Sequence, residues 1–277
     1  MNLSIMAGPG RTPAQPKAAA PATEAAARAG LAAQGVIYLL VGLLALQVAF
    51  GRREAQADQQ GALATLSDQP FGAVLLWALG IGLVGMALWR LSEAVFGGAG
   101  PDGRKPHMRL LALGRCLFYS YVAYSVLRFT VSGDGGGSGD EKSRDATATA
   151  LDLPAGRWLV AVGGAVIVVA GVWIGVQAVR RTYRETLKTG EMSPAGRRLA
   201  DVTGIGGGVT RGLLFAAIGT FAVQAAVKHR SDEAKGLDDT LRTFADTALG
   251  PWLLAVVALG LVLFGVFSFV LAARRRV

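Results

Sequence analysis

The chain has 277 residues, 52% of them hydrophobic and 17% charged, with a net charge of +9. Its apolar residues lie in blocks instead of alternating with polar ones, which excludes an ordinary soluble core. The basic surplus is scattered over short segments between those blocks, without the clustered face and aromatic partners that nucleic-acid binding needs, so no nucleic-acid partner is expected.

Residues 1–27 are rich in Ala and Pro and carry Arg11 and Lys17; this composition predicts a disordered cytoplasmic tail. No short apolar segment with a cleavage site precedes the first block, so no removed signal peptide is expected. Six apolar blocks follow, at 29–50, 71–91, 110–131, 156–179, 207–227 and 250–273. Each reaches the roughly 20 residues that a helix rising about 1.5 Å per residue needs to cross about 30 Å of hydrocarbon. The runs lack the alternation of barrel strands. The predicted fold class is therefore all-α, a polytopic membrane protein with six transmembrane helices.

The blocks pair into three copies of one plan, which predicts three parallel two-helix repeats with pseudo-threefold symmetry at 28–96, 109–181 and 204–277. In each copy the second helix opens at a glycine four residues after the Asp of a Thr-x-x-Asp motif. These are Thr65, Asp68 and Gly72, then Thr149, Asp152 and Gly156, then Thr243, Asp246 and Gly250. A Thr three residues before an acid reads as a capping box, and an Asp followed by Pro70 or Pro154 reads as an N-cap. The carboxylates are thus expected to face the positive ends of the even helices. The alternative is a ring of acids around an outer vestibule that attracts cations.

The side holding the N-terminus, the second and fourth connections and the C-terminus carries sixteen Lys and Arg against six acids. The other three connections carry nine against thirteen. Lys/Arg excess marks cytoplasmic loops, so both termini are expected in the cytoplasm, with some attraction to anionic lipid headgroups. Cys116, the single cysteine, excludes an intrachain disulfide and a cysteine-based zinc site.

Aligning the odd helices on Tyr38, Tyr119 and Phe215 brings Gly35, Cys116 and Gly212 into one column and Gly42, Ala123 and Gly219 into another. Small residues seven apart share a helix face and let a neighbouring backbone approach, so helix packing is expected there, as for Gly171 with Gly175 and Gly208 with Gly212. Gly80, Gly82 and Gly85 spell G-x-G-x-x-G, but mid-span and without a preceding strand they do not predict a dinucleotide site. Gly204 to Gly208 is expected as a flexible entry to the fifth span, and 133–139 as a flexible outer loop without calcium-loop spacing. Arg180 to Lys188 is expected to prolong the fourth span as an amphipathic helix. Trp158 and Trp252, like Trp89 and Trp173, fall where interfacial indoles are expected.

Ionisable groups inside a bilayer are costly and point to function. The alignment places Gln34, Arg115 and Arg211 in one column and Gln47, Arg128 and Gln224 in another. Thirteen residues separate the columns; at about 100° each they point to different sides of a straight helix. Two readings stay open for the arginines: snorkelling with interhelical hydrogen bonds, or a polar pocket for an anionic solute. Glu93 is the expected carboxylate partner. The candidate intramembrane site is thus Gln34, Arg115, Arg211, Arg128 and Glu93.

The runs Arg28-Ala-Gly-Leu-Ala-Ala-Gln-Gly-Val-Ile-Tyr-Leu-Leu-Val-Gly42 and Arg211-Gly-Leu-Leu-Phe-Ala-Ala-Ile-Gly219, with the loops ending in Gly72, Gly156 and Gly250, resemble the Domain of Unknown Function 1206 family. The resemblance implies a bacterial integral membrane protein built from tandem two-helix repeats, hence a plasma-membrane location, and implies no activity. The second copy departs most, with Cys116 and Ala123 in place of Gly.

A structural or accessory membrane component fits every feature, with the lipid bilayer as partner and a protein partner or homo-oligomer left open. The alternative is a small-solute carrier or channel, for an anion, with a polar pocket between the odd helices. Three parallel repeats are analogous to mitochondrial carriers at the fold level, although the Pro-x-Asp/Glu-x-x-Lys/Arg signature is absent. No enzyme, cofactor or metal is expected: His107 and His229 are the only histidines and fall in loops on opposite sides, with no nucleophile–base pair.

Overall fold

A computed structural model describes residues 21–51, 56–97, 105–133, 137–246 and 250–274. Among the described residues nine α-helices follow in order: α1 (Pro21–Ala49), α2 (Gln59–Ser67), α3 (Gly72–Phe96), α4 (Pro106–Ser132), α5 (Gly139–Leu151), α6 (Gly156–Val179), α7 (Pro194–Lys228), α8 (Leu237–Ala245) and α9 (Gly250–Arg274). Six of them, α1, α3, α4, α6, α7 and α9, are long and apolar enough to cross a membrane. The short helices α2, α5 and α8 sit between the two spans of each repeat and form a cap at one end. The protein is a multi-pass membrane protein of three two-helix units, and its broad exposed apolar surface is what lipid covers.

The tightest helix pairs run across repeat boundaries: α3 with α4, α6 with α7, and α9 with α1, so the last span closes back on the first. Here the predicted glycine columns pack. A Cβ on Gly219 would meet the Gly164 carbonyl at 2.7 Å, one on Gly212 the Gly171 carbonyl at 2.6 Å, and one on Gly35 the Gly265 carbonyl at 3.1 Å. Without a hydrophobic drive between helices in lipid, this backbone proximity is the source of cohesion.

Within repeats, α1 packs on α3 and α7 on α9, while α4 and α6 hardly touch. Aligned positions explain the exception. Gly30 and Gly82 let α1 and α3 approach, and Gly207 and Gly260 do so for α7 and α9: a Gly30 Cβ would meet Met86 Cβ at 2.4 Å, and a Gly207 Cβ the Phe264 Cα at 2.5 Å. The second copy has Leu111 and Val166 at those places, and both are exposed. The ring of six spans is therefore open on one side.

Several expectations need correction. Residues 21–27 of the predicted tail are the first turns of α1: Ala is the best helix former, Glu24 and Arg28 pair at 2.6 Å, and Ala27 is buried with Met86 and Trp89. Residues 1–20 lie outside the described residues, as do 134–136 of the predicted outer loop. Gly204 to Gly208 is not a flexible entry. It lies inside α7, which begins at Pro194 and is capped by Ser193, whose Oγ accepts from the Gly196 N–H. A Cβ at Gly204 would meet Tyr183 and Phe267, and one at Gly208 would meet Ala178. Arg180 to Lys188 does not prolong the fourth span. The helix stops at Val179, Arg181 takes a left-handed φ of 57°, and a 3-10 turn follows. Arg184 and the Tyr183 hydroxyl then bond Asp201 on α7, which draws the chain back.

Candidate functional site

At the cap end, three buried aspartates link the repeats in a cycle. Asp58 accepts from the Gly139 N–H of the second repeat at 2.8 Å. Asp140 accepts from the Asp239 N–H of the third at 3.2 Å. Asp238 accepts from the Ala57 N–H of the first at 2.8 Å, which closes the cycle. Each carboxylate serves backbone donors at the start of the next repeat's cap helix, where orphan N–H groups and the helix dipole favour negative charge. Asp58 also caps its own helix through the Gly61 N–H, and Asp238 pairs with Arg242 at 2.7 Å. Burial pushes the Asp140 carboxyl up, to about 6. Repulsion from Asp239, Asp238 and Asp58 adds to this, and the Asp239 N–H bond opposes it. Arg144 pairs with Asp239 beside it.

The Thr-x-x-Asp motif does different work from that predicted. Asp68, Asp152 and Asp246 are exposed and close α2, α5 and α8. They do not cap α3 and α6, whose N-cap residues are Phe71 and Ala155, with left-handed φ of 65° and 63° and no side-chain cap bond. Thr65 and Thr243 bond back to carbonyls four residues earlier in their own helices; Thr149 lies on the exposed side of α5. The repeated glycine has a steric reason: a Cβ at Gly72, Gly156 or Gly250 would sit 2.4, 2.0 or 1.7 Å from the Ser67, Ala150 or Ala245 carbonyl. The motif is a helix corner.

In the span region, α1, α4 and α7 bring together the first polar column. Gln34 is buried and accepts from the Tyr119 hydroxyl at 3.4 Å. Arg211 lies against the rings of Phe264, Phe215 and Tyr38, at 4.9, 5.3 and 5.8 Å from their centroids. Its Nε is buried without a hydrogen-bond partner. Arg115 is exposed on α4 and within the field of Arg90, Glu93, Tyr119 and Arg211. Glu93 pairs with Arg90 at 2.5 Å, not with Arg115, because the two lie three residues apart on one face of α3. Arg90 also stacks on Trp89, and its Nε too is buried and unpartnered. Among the described residues, three arginines thus share one neighbouring carboxylate.

The second column goes elsewhere, as the helical angle requires. Gln47, Arg128 and Gln224 are all exposed, and Arg128 does not join the site. Two surface crevices have no part of their lining from Arg90, Arg115 or Arg211. One of about 340 Å³ is lined by Arg184, Leu187, Met192, Arg197, Ala200 and Asp201, and one of about 330 Å³ by Leu43, Leu46, Gln47 and Phe50.

Three successive segments, 29–97, 111–181 and 206–275, match the family described as Domain of Unknown Function (DUF1206). The chain belongs to this family. Each match takes in one span, one cap helix and the next span, so the DUF1206 unit is the structural repeat, and its strongest packing is with the following unit. The chain is also similar to the uncharacterized protein YxxB of Bacillus subtilis (strain 168), 32% identical over 243 residues and covering 87% of each chain. No solved structure matches.

Sequence reasoning missed Asp58, Asp140, Asp238 and Arg90. The three aspartates precede Asp68, Asp152 and Asp246 by ten, twelve and eight residues, so an alignment fixed on the later acids does not bring them into register. The available signal was an acid near the start of every cap helix.

Proposed function

We propose that this DUF1206 protein is a non-catalytic structural or accessory component of a bacterial plasma membrane, with both termini in the cytoplasm. The observation that carries this reading is the closed cycle of Asp58, Asp140 and Asp238. It ties three repeats together at one end, as a structural element requires and a through-channel does not. The Lys/Arg excess at the opposite end supports the orientation and favours anionic lipid headgroups around it. Labelling tests the orientation: in a Cys116→Ser background, Asp145→Cys should react with an impermeant maleimide added outside cells and Glu185→Cys should not. The reverse pattern overturns it.

A second reading, an anion carrier, is favoured by the arginine surplus around Arg211. Flux separates the two. The structural reading expects chloride and phosphate flux in proteoliposomes at the level of empty vesicles. Flux above that level, abolished by Arg211→Leu in a folded protein, would establish the carrier instead.

A further inference from the structure

Arg115 lies one turn from Tyr119 on α4, whose hydroxyl reaches Gln34 on α1, and Arg211 of α7 lies over Tyr38 on α1, so both arginines border one region beside which α4 and α6 hardly touch. Arg90 already holds Glu93, and Arg211 has a buried, unpartnered Nε. Aromatic rings surround Arg211 but, among the described residues, no carboxylate pairs with it, and a cation without a counter-ion inside a bilayer is costly, so the site calls for an anion. The opening is lateral: it lies between two spans and is flanked by exposed Leu111, Val162, Val166 and Val169, which face hydrocarbon. The cap end is sealed by the aspartate cycle. Arg115 lies six residues from Arg109 along α4, about 9 Å at the helical rise, so it is close to the level of lipid phosphates at the end away from the cap.

We infer that the gap between α4 and α6 admits the headgroup of an anionic phospholipid, whose phosphate is held by Arg115 and Arg211 while its chains lie along the apolar walls. Guanidinium forks match phosphate oxygens, and a charge-assisted bond in low dielectric is stronger than in water. Lateral entry favours a lipid over free phosphate, which would have to leave water to reach the site. The inference goes beyond the structural or carrier reading and holds under either.

The test uses the full chain in nanodiscs of phosphatidylcholine with and without phosphatidylglycerol, followed by native mass spectrometry of retained lipid. Wild type should keep one phosphatidylglycerol in preference to phosphatidylcholine. Arg115→Gln, on an exposed face, should lose about tenfold in retention, the effect of removing one charge-assisted contact. Arg115→Lys should fall between the two, and Arg128→Gln should match wild type. Equal retention of both lipids by wild type overturns the inference without recourse to any variant. So does unchanged retention in Arg115→Gln. In a separate arm, inorganic phosphate is added to phosphatidylcholine discs: a thermal shift there, without one from phosphatidylglycerol, assigns the site to a free anion and overturns the lipid. Flux results do not bear on these outcomes, so this inference and the functional reading fail separately.

Discussion

Replacing Asp140 with Asn should make the cap more stable near neutral pH and remove its response to acid. The Asp140 carboxyl is held at about 6 in the folded protein against 3.8 for an ordinary Asp. At about 1.4 kcal/mol per pKa unit this separation is worth about 3 kcal/mol. The sign follows from proton uptake. Between 3.8 and about 6 the folded cap binds more protons than the opened one, so its stability is greatest below 3.8 and falls as pH rises through about 6. The groups facing Asp140 are Asp58 on the first repeat's cap, with Asp238 and Asp239 on the third's. An Asn side chain keeps a carbonyl oxygen for the Asp239 N–H but carries no charge to be repelled. Hydrogen exchange of the α5 and α8 amides in nanodiscs, corrected for intrinsic rates, measures local opening. Wild-type protection should rise about a hundredfold from pH 8 to pH 4, the equivalent of that free energy. Asp140→Asn should stay flat near the acid value. An equal pH slope in Asp140→Asn, or a loss of wild-type protection on acidification over this range, would refute the argument.

Other outcomes follow from single contacts. Asp58→Ala leaves the Gly61 and Gly139 N–H groups without their acceptor and should cost about 2–4 kcal/mol in cap opening, read by the same exchange experiment. Gly171→Leu should separate α6 from α7, since even a Cβ there meets Ala216 N at 2.5 Å; a large drop in melting temperature is expected. Arg184→Ala removes the bonds to Asp201 at an exposed site and should leave the melting temperature nearly unchanged, since exposed ion pairs add little, while raising protease cutting near residue 186.

The span count, the repeat and the glycine packing were legible because each depends on local pattern: apolar length, period, and small residues on one face. Gln34, Arg115 and Arg211 were legible as a column for the same reason; Arg128, named with them as a candidate, is exposed on another side of α4, as the angle between the columns requires. The aspartate cycle was not legible, because it joins Asp58 to Gly139 and Asp238 to Ala57 across repeats whose cap helices differ in length. The misreading of Asp68, Asp152 and Asp246 has a related cause. A sequence with Asp ahead of an apolar helix fits an N-cap, yet here a further short helix ends at that Asp, and in the first two repeats a residue with positive φ, Phe71 or Ala155, lies between it and the next span. Arg90 was hidden by its place at a predicted span end, where a basic residue usually means an interface. Its pairing with Glu93 leaves Arg115 and Arg211 without the carboxylate partner expected for them at the inner end of the second span.

The opening between α4 and α6 can itself be engineered. In the first and third repeats a glycine on each span permits contact, Gly30 with Gly82 and Gly207 with Gly260; in the second, Leu111 and Val166 stand at those places and the helices hardly touch. The second cap helix, α5, also has 13 residues where α2 and α8 have 9, which adds about 6 Å of helix at 1.5 Å per residue between the two spans. If side-chain bulk sets the gap, Leu111→Gly with Val166→Gly should draw α4 and α6 together. If α5 sets it, the double variant should leave them apart. Spin labels on exposed Leu117→Cys and Val162→Cys, with Cys116→Ser, report the distance directly. Two glycines in helix interiors cost about 2 kcal/mol in propensity, so a folded variant is expected. A shorter label distance together with loss of bound phosphatidylglycerol would connect the missing glycines to the lipid site. An unchanged distance would show that bulk at 111 and 166 does not hold the ring open.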